Sequence, residues 1–243
     1  MQTSAQIIES FLNEYRIKAT GYLAEAMAKG NWWQLQFVAF AIKQLPQLDN
    51  LPEKISELAT IEKGDNEAQS RYYNLHFEFV SIRFVADGLG LSVIEVESHS
   101  HRIKSPNRKR GHCDILAKQG SGALYFDAKD FSSETLSWDP HPKLPNVFFF
   151  PPAHPREVKK WIESKINQCV NKGANFAICR VPSMCLPETP MFGRRWVEEI
   201  FPIYKRISKR EYHIETDKSI PSFFRGVYLV GERRHLLLRF TSV

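Results

Sequence analysis

Three residues of this chain have the types and spacing that phosphate chemistry requires: Asp114, Asp127 and Lys129. They lie in GHCDILAKQGSGALYFDAKDF, residues 111–131. Two carboxylates on neighbouring strands form a hard, all-oxygen site suited to Mg²⁺. A lysine two residues after the second acid points to the same strand face, because strand side chains alternate with a period of two. Asp130 points to the other face and takes no part. A divalent ion beside an ammonium group neutralises phosphoryl oxygens and activates a water, the requirements of phosphodiester hydrolysis.

The flanking residues supply a scaffold for that chemistry. Ile115, Leu116 and Ala117 form a short apolar run, Lys118 to Gly122 is a polar Gly/Ser turn, and Ala123 to Phe126 is a second run leading into Asp127. Two apolar runs split by such a turn read as a β-hairpin. Charges at the ends of buried strands are costly unless they are paired or bind a metal.

The acid, the spacer and the acid-x-lysine triplet on a hairpin, with Gly111 shortly before the first acid, resemble the PD-(D/E)xK nuclease superfamily. The resemblance implies an α/β fold: a restriction-endonuclease-like αβββαβ core with a mixed central sheet, here with an all-helical N-terminal extension. It implies Asp114 and Asp127 as metal ligands together with the Ala128 carbonyl, and Lys129 beside the attacking water. Many relatives add a Glu from the preceding helix, and Glu78 in NLHFEFVSIRF is that candidate; a polar stripe of Arg71, Asn74, Glu78 and Ser81 is the alternative. From the following helix relatives place a Gln or Lys near the scissile phosphate. Gln168 is the residue expected there, while Lys165 and Lys172 read as a solvated face. The implied cofactor is Mg²⁺, with Mn²⁺ as a substitute.

The helical pattern starts early. Ile8, Phe11, Leu12, Tyr15, Ala19, Tyr22, Leu23, Ala26 and Met27 recur at helical spacing up to Gly30. Asn31 caps a second helix through Leu45, which Pro46 ends, and Pro52 opens a short third helix finishing near Gly64. Trp32 and Trp33 read as packing residues. Residues 1–64 thus form a helical region, and 65–243 the nuclease-like domain, with its core at about 66–181. Within that core the expected order is a helix over 66–87 closed by Gly88 and Gly90, a strand over 91–96, the hairpin, a proline-rich connection over 140–155, a helix over 156–172 and a strand over 175–181. Residues 182–243 carry a helix over 194–205 and a hairpin around Gly231-Glu232.

Charge points to a polyanionic partner. The chain carries a net +6, and its densest positive segment, RIKSPNRKR, directly precedes Asp114. Arg102, Lys104, Arg108, Lys109 and Arg110 are expected to hold a nucleic-acid backbone, with Arg233 and Arg234 extending the track. Arg194-Arg195, Lys205-Arg206 and Lys209-Arg210 are further basic pairs whose placement the sequence leaves open. The expected partner is DNA, with RNA possible, and the expected state is a homodimer, because a double-strand cut normally needs two active sites. No apolar run reaches membrane length, residues 1–15 lack a basic segment followed by a long apolar core, and the cysteines show no disulfide-like spacing, so no secretory leader and a cytoplasmic setting are expected.

Two alternatives keep the same fold: a toxin-type ribonuclease acting on tRNA or other RNA, and a non-catalytic nucleic-acid-binding protein. A zinc site at His99, His101, His112 and Cys113 is a third reading, but no second ligand pair completes it.

Overall fold

The computed structural model describes residues 2–48, 50–99, 112–130, 139–141, 144–149, 155–180, 201, 204–216, 219–231 and 235–242. It is a mixed α/β structure with one eight-stranded mixed sheet. The chain divides into two compact units, residues 1–100 with 112–125, and residues 101–111 with 126–243.

The first unit begins with five helices: α1 (Ser4–Glu14), α2 (Gly21–Ala28), α3 (Trp32–Gln44), α4 (Leu51–Ala59) and α5 (Asn66–Arg83). Thr3 and Gln6 close a reciprocal capping box at the start of α1. Asp65 accepts hydrogen bonds from the Glu67 and Ala68 amides at the start of α5, both at 3.1 Å. The apolar stripes meet in a core that includes Ile8, Leu35, Val38, Ile55, Leu58 and Phe79, each fully or almost fully buried. The helix expected to run unbroken to Gly30 is two helices. Arg16 takes a left-handed φ of 56° and ends α1. Thr20 N then donates to Ala59 O at 2.8 Å, which starts α2 against the end of α4. Gly21 follows with φ +51°, and a Cβ there would stand 2.0 Å from Ile61 O.

A π-helical turn, Phe84–Gly88, extends α5 with a Leu89 N to Phe84 O bond of 3.0 Å. Strands β1 (Ser92–His99) and β2 (His112–Gln119) then pair antiparallel with a bulge at Val93/Glu95. Of the two tryptophans only Trp33 packs, edge-on to His76 at 5.5 Å; Trp32 is 67% exposed.

Strand β3 (Gly122–Asp130) leads into the second unit, which also holds β4 (Asp139–His141), β5 (Leu144–Phe149), α6 (Pro155–Lys172), β6 (Phe176–Arg180), β7 (Tyr204–Ser208), β8 (Glu211–Thr216), β9 (Gly226–Val230) and β10 (His235–Ser242). The strand order in the large sheet is β1-β2-β3-β6-β9-β10-β8-β7. β3, β6 and β9 run parallel, β9 and β10 form an antiparallel pair, and β10 runs parallel to β8. β6 is an almost continuous buried run, as strands covered on both faces require. Two expectations change here. The proline-rich connection contains the separate β4–β5 pair. Tyr204 and Lys205, expected to end a helix, open β7 instead, and Phe201 is not helical; residues 194–200, 202 and 203 of that expected helix lie outside the described residues.

Candidate active site around Asp127

β3 carries Asp127 with no exposed surface, between Phe126 and Ala128, both buried. Its register partner on β6 is Ala177, and that of Lys129 is Cys179. An isolated buried carboxylate is costly by several kcal/mol, on the order of what leads such groups to take up a proton. This one is compensated from two sides. The Lys129 ammonium folds back along its own strand to 2.7 Å from Asp127 Oδ2. The second ammonium comes from α6, where Lys172 Nζ lies 2.5 Å from Asp127 Oδ1. Cys169, one turn earlier on the same helix face, donates its thiol to Oδ2 at 3.3 Å.

The electrostatics follow from this geometry. Burial alone would raise the Asp127 pKa, but the Lys129 and Lys172 charges outweigh it and hold the carboxyl below its ordinary value. Burial and the Asp127 charge both push the Cys169 thiol well up, so it stays protonated and acts as a donor. The cluster carries one negative and two positive charges. The Lys129 and Lys172 side chains keep 18% and 33% of their surface exposed, so the positive excess is the part that faces outward.

Lys129 makes a further contact that bears on metal binding. Its Nζ also donates to Ala128 O at 3.0 Å. The ammonium therefore lies against Asp127 Oδ2 and the Ala128 carbonyl, the same two oxygens the nuclease resemblance names as donors to a cation.

The other expected site residues fall as follows. Asp114 is half-buried on β2, between the fully buried Cys113 and Ile115. In the β1–β2 ladder it lies between the Ile115–Val96 and Cys113–Ser98 pairs, level with Glu97. Glu78, on α5, forms an ion pair with Lys54 of α4, whose ammonium also lies 2.9 Å from Glu97 Oε1. Lys54 is only 2% exposed. Burial would lower its pKa, yet the Glu78 and Glu97 charges win and raise it. Glu97 has a left-handed φ of 56°, which breaks the strand alternation at that point, and Asn50 Nδ2 donates to the neighbouring Val96 carbonyl. Glu78 is thus part of an ion-pair clamp around the buried Lys54 that joins α4, α5 and β1.

Gln168 is exposed on α6, whereas its neighbours Cys169 and Lys172 reach Asp127. Lys165 is buried, with its ammonium 5.6 Å from the Trp161 ring centroid. The sequence reading put Gln168 toward the site and Lys165 and Lys172 on a solvated face; instead Lys165 is buried and Lys172 reaches Asp127, because this face of α6 packs toward β3. Cys169, Lys54 and Glu97 carried no sequence signal of their own. Arg102, Lys104, Arg108, Lys109, Arg110, Arg233 and Arg234 lie outside the described residues.

Among the described residues there is no group of three or more His, Cys, Asp or Glu side chains able to hold a metal ion. For the zinc reading, His99 and His112 are register partners, Cys113 is buried, and His101 lies outside the described residues. Among the described residues no helix is long and apolar enough to cross a membrane. Comparison with protein-family models, with curated proteins and with solved structures returned no match.

Proposed function

We propose that the chain is a metal-dependent phosphodiesterase, an endonuclease of DNA built on a restriction-endonuclease-like core. The observation that carries the reading is the Lys129 ammonium lying against both Asp127 Oδ2 and Ala128 O. A buried carboxylate and a main-chain carbonyl are there directed at one cation. The element order α5, β1, β2, β3, α6, β6, with β6 parallel to β3, supports the same reading.

The donor chemistry fits Mg²⁺ or Mn²⁺: Asp127 and the Ala128 carbonyl are hard oxygens, and Asp114 supplies the second carboxylate of the proposal. Glu78 stands as a further ligand in it, one that Lys54 already neutralises in part. A bound divalent ion supplies charge neutralisation at the phosphoryl oxygens and an activated water. With such an ion held by these oxygens, Lys129 would orient the attacking water and stabilise developing negative charge. Lys172 stays on Asp127 Oδ1 and holds the carboxylate ionised and in one orientation. A homodimer of such subunits cuts both strands of a duplex.

One observation favours a second reading. Both Asp127 oxygens are already paired and the cluster has a net positive charge, which suits a protein that grips phosphates without cleaving them. One experiment separates the readings: purified protein incubated with plasmid DNA, single-stranded DNA and tRNA, in Mg²⁺ or in EDTA. Cleavage of DNA in Mg²⁺ alone, lost in Asp127→Asn, supports the proposal. Cleavage confined to tRNA moves the substrate to RNA. Binding without cleavage of any substrate sinks the enzyme reading.

A further inference from the structure

The last strand of the large sheet is β7, and all five of its residues are exposed. With β8 it forms an antiparallel hairpin in which Lys205 is opposite His213 and Arg206 opposite Tyr212. Four cations, Lys205, Arg206, Lys209 and Arg210, fall within a short stretch, residues 204–210, containing no acid. Among the described residues none of the four pairs with a carboxylate. Glu211, the acid next to the turn, is engaged by Arg239 Nε at 2.6 Å. Glu215, the other acid of β8, lies toward the far end of the ribbon, beyond the Tyr204–Ile214 pair.

The ribbon is firmly seated. Tyr212 and Ile214 of β8 are buried, and β8 pairs along its length with β10. At the turn, Arg210 N donates to Ser208 Oγ at 3.1 Å, and Arg210 O accepts from Leu237 N at 2.8 Å. Arg206 Nε donates to Ser208 O at 3.2 Å while its guanidinium lies 5.9 Å from the Tyr212 ring centroid. A sheet edge guarded against aggregation carries charge in place of exposed apolar side chains. This edge carries both, since Tyr204 and Ile207 are 36% and 47% exposed.

We propose that the β7–β8 hairpin is a DNA-binding ribbon, with Lys205, Lys209 and Arg210 neutralising phosphates of a duplex while the exposed strand enters its major groove. The major groove of B-form DNA, about 12 Å wide, admits a two-stranded ribbon and so has room for the single exposed strand β7 while β8 stays paired with β10. The deep, narrow major groove of A-form RNA does not admit it. The proposal concerns binding without a divalent ion, so it stands or falls apart from the cleavage reading.

The test is a fluorescence-anisotropy titration of the full chain with a short labelled DNA duplex, in EDTA, over a series of salt concentrations. The triple variant Lys205→Gln, Lys209→Gln, Arg210→Gln is compared with wild type, with thermal melting as the fold control. The slope of log affinity against log salt is expected to shrink by about 2 to 3, at about 0.9 for each phosphate no longer neutralised. Lys209→Gln alone, exposed at the turn, is expected to reduce it by about 1 and covers the case in which the triple variant melts early. Unchanged affinity and slope in both variants, or a wild type that fails to bind the duplex at low salt, overturns the proposal. Equal affinity for a double-stranded RNA of the same sequence, with the same loss in the variants, overturns the assignment to DNA.

Discussion

Lys172 Nζ meets Asp127 Oδ1 at 2.5 Å, joining the end of α6 to the buried carboxylate of β3. That pairing leaves Lys129 to serve the other oxygen and the Ala128 carbonyl. The two lysines thus make separate contacts: Lys172 pairs with one oxygen of the acid, and Lys129 with the other, where the proposed function would put a metal ion.

Replacement of Lys129 by Met is expected to lower Mg²⁺-dependent cleavage of plasmid DNA by about 100-fold or more, the range for loss of a general acid–base or charge-stabilising group. Asp114→Ala and Asp127→Ala are expected to abolish cleavage. Circular dichroism should remain native for Lys129→Met. Wild-type cleavage by that variant would remove Lys129 from the reaction.

The Asp127 ion pairs predict an acid limb of stability. A carboxyl held below its ordinary pKa contributes stability that is complete above the ordinary value and disappears as pH falls through the folded-state value. Asp127→Asn is expected to cost about 1.5–3 kcal/mol near neutrality, the scale of charge-assisted hydrogen bonds. The gap between wild type and variant should close as pH falls below the carboxylate range. Melting curves across acid pH check this; a gap independent of pH contradicts it.

Lys54 predicts the opposite limb. Its raised pKa means its contribution is complete below the ordinary lysine value of 10.5 and is lost as pH rises through the higher folded-state value. Lys54→Met removes the buried partner of Glu78 and is expected to cost about 3 kcal/mol at neutral pH. Alkaline denaturation of the two proteins should converge above the lysine range. A variant as stable as wild type at neutral pH would show that Glu78 and Glu97 are satisfied without it.

Gly21→Ala is expected to lower the melting temperature. Its φ of +51° disfavours any side chain, and a Cβ there meets the Ile61 carbonyl oxygen at 2.0 Å. Strain of this kind costs about 1–3 kcal/mol. Thermal denaturation decides it, and an unchanged midpoint would mean that the 61–62 backbone yields freely.

The parts of the fold carried by local patterns were legible in the sequence. The β2 and β3 strands follow from two apolar runs around a glycine turn, and Asp127 with Lys129 on one face follows from strand alternation. The break at Arg16 was not legible, because a left-handed arginine has no sequence signature and is imposed by the docking of Thr20 on Ala59. Lys54 and Glu78 are far apart in the chain, so their pairing depends on how α4 meets α5. On α6, spacing alone ranks Gln168 and Lys172 alike; burial of Cys169 beside Lys172 is what separates them. β7 was missed because an entirely exposed strand shows no alternation of polar and apolar residues.

The placement of β10 has a consequence for the order of assembly. It is the latest of the described strands to leave the ribosome, yet it lies inside the sheet, with β9 on one side and β8 on the other. Until residues 235–242 are synthesised, β8 has only β7 beside it, and the hairpin they form lacks the neighbour that seats it. The nascent chain therefore carries two open strand edges, on β8 and on β9, until residues 235–242 emerge. A stop codon ahead of residue 235 would make that exposure permanent and leave a species prone to pairing with other chains.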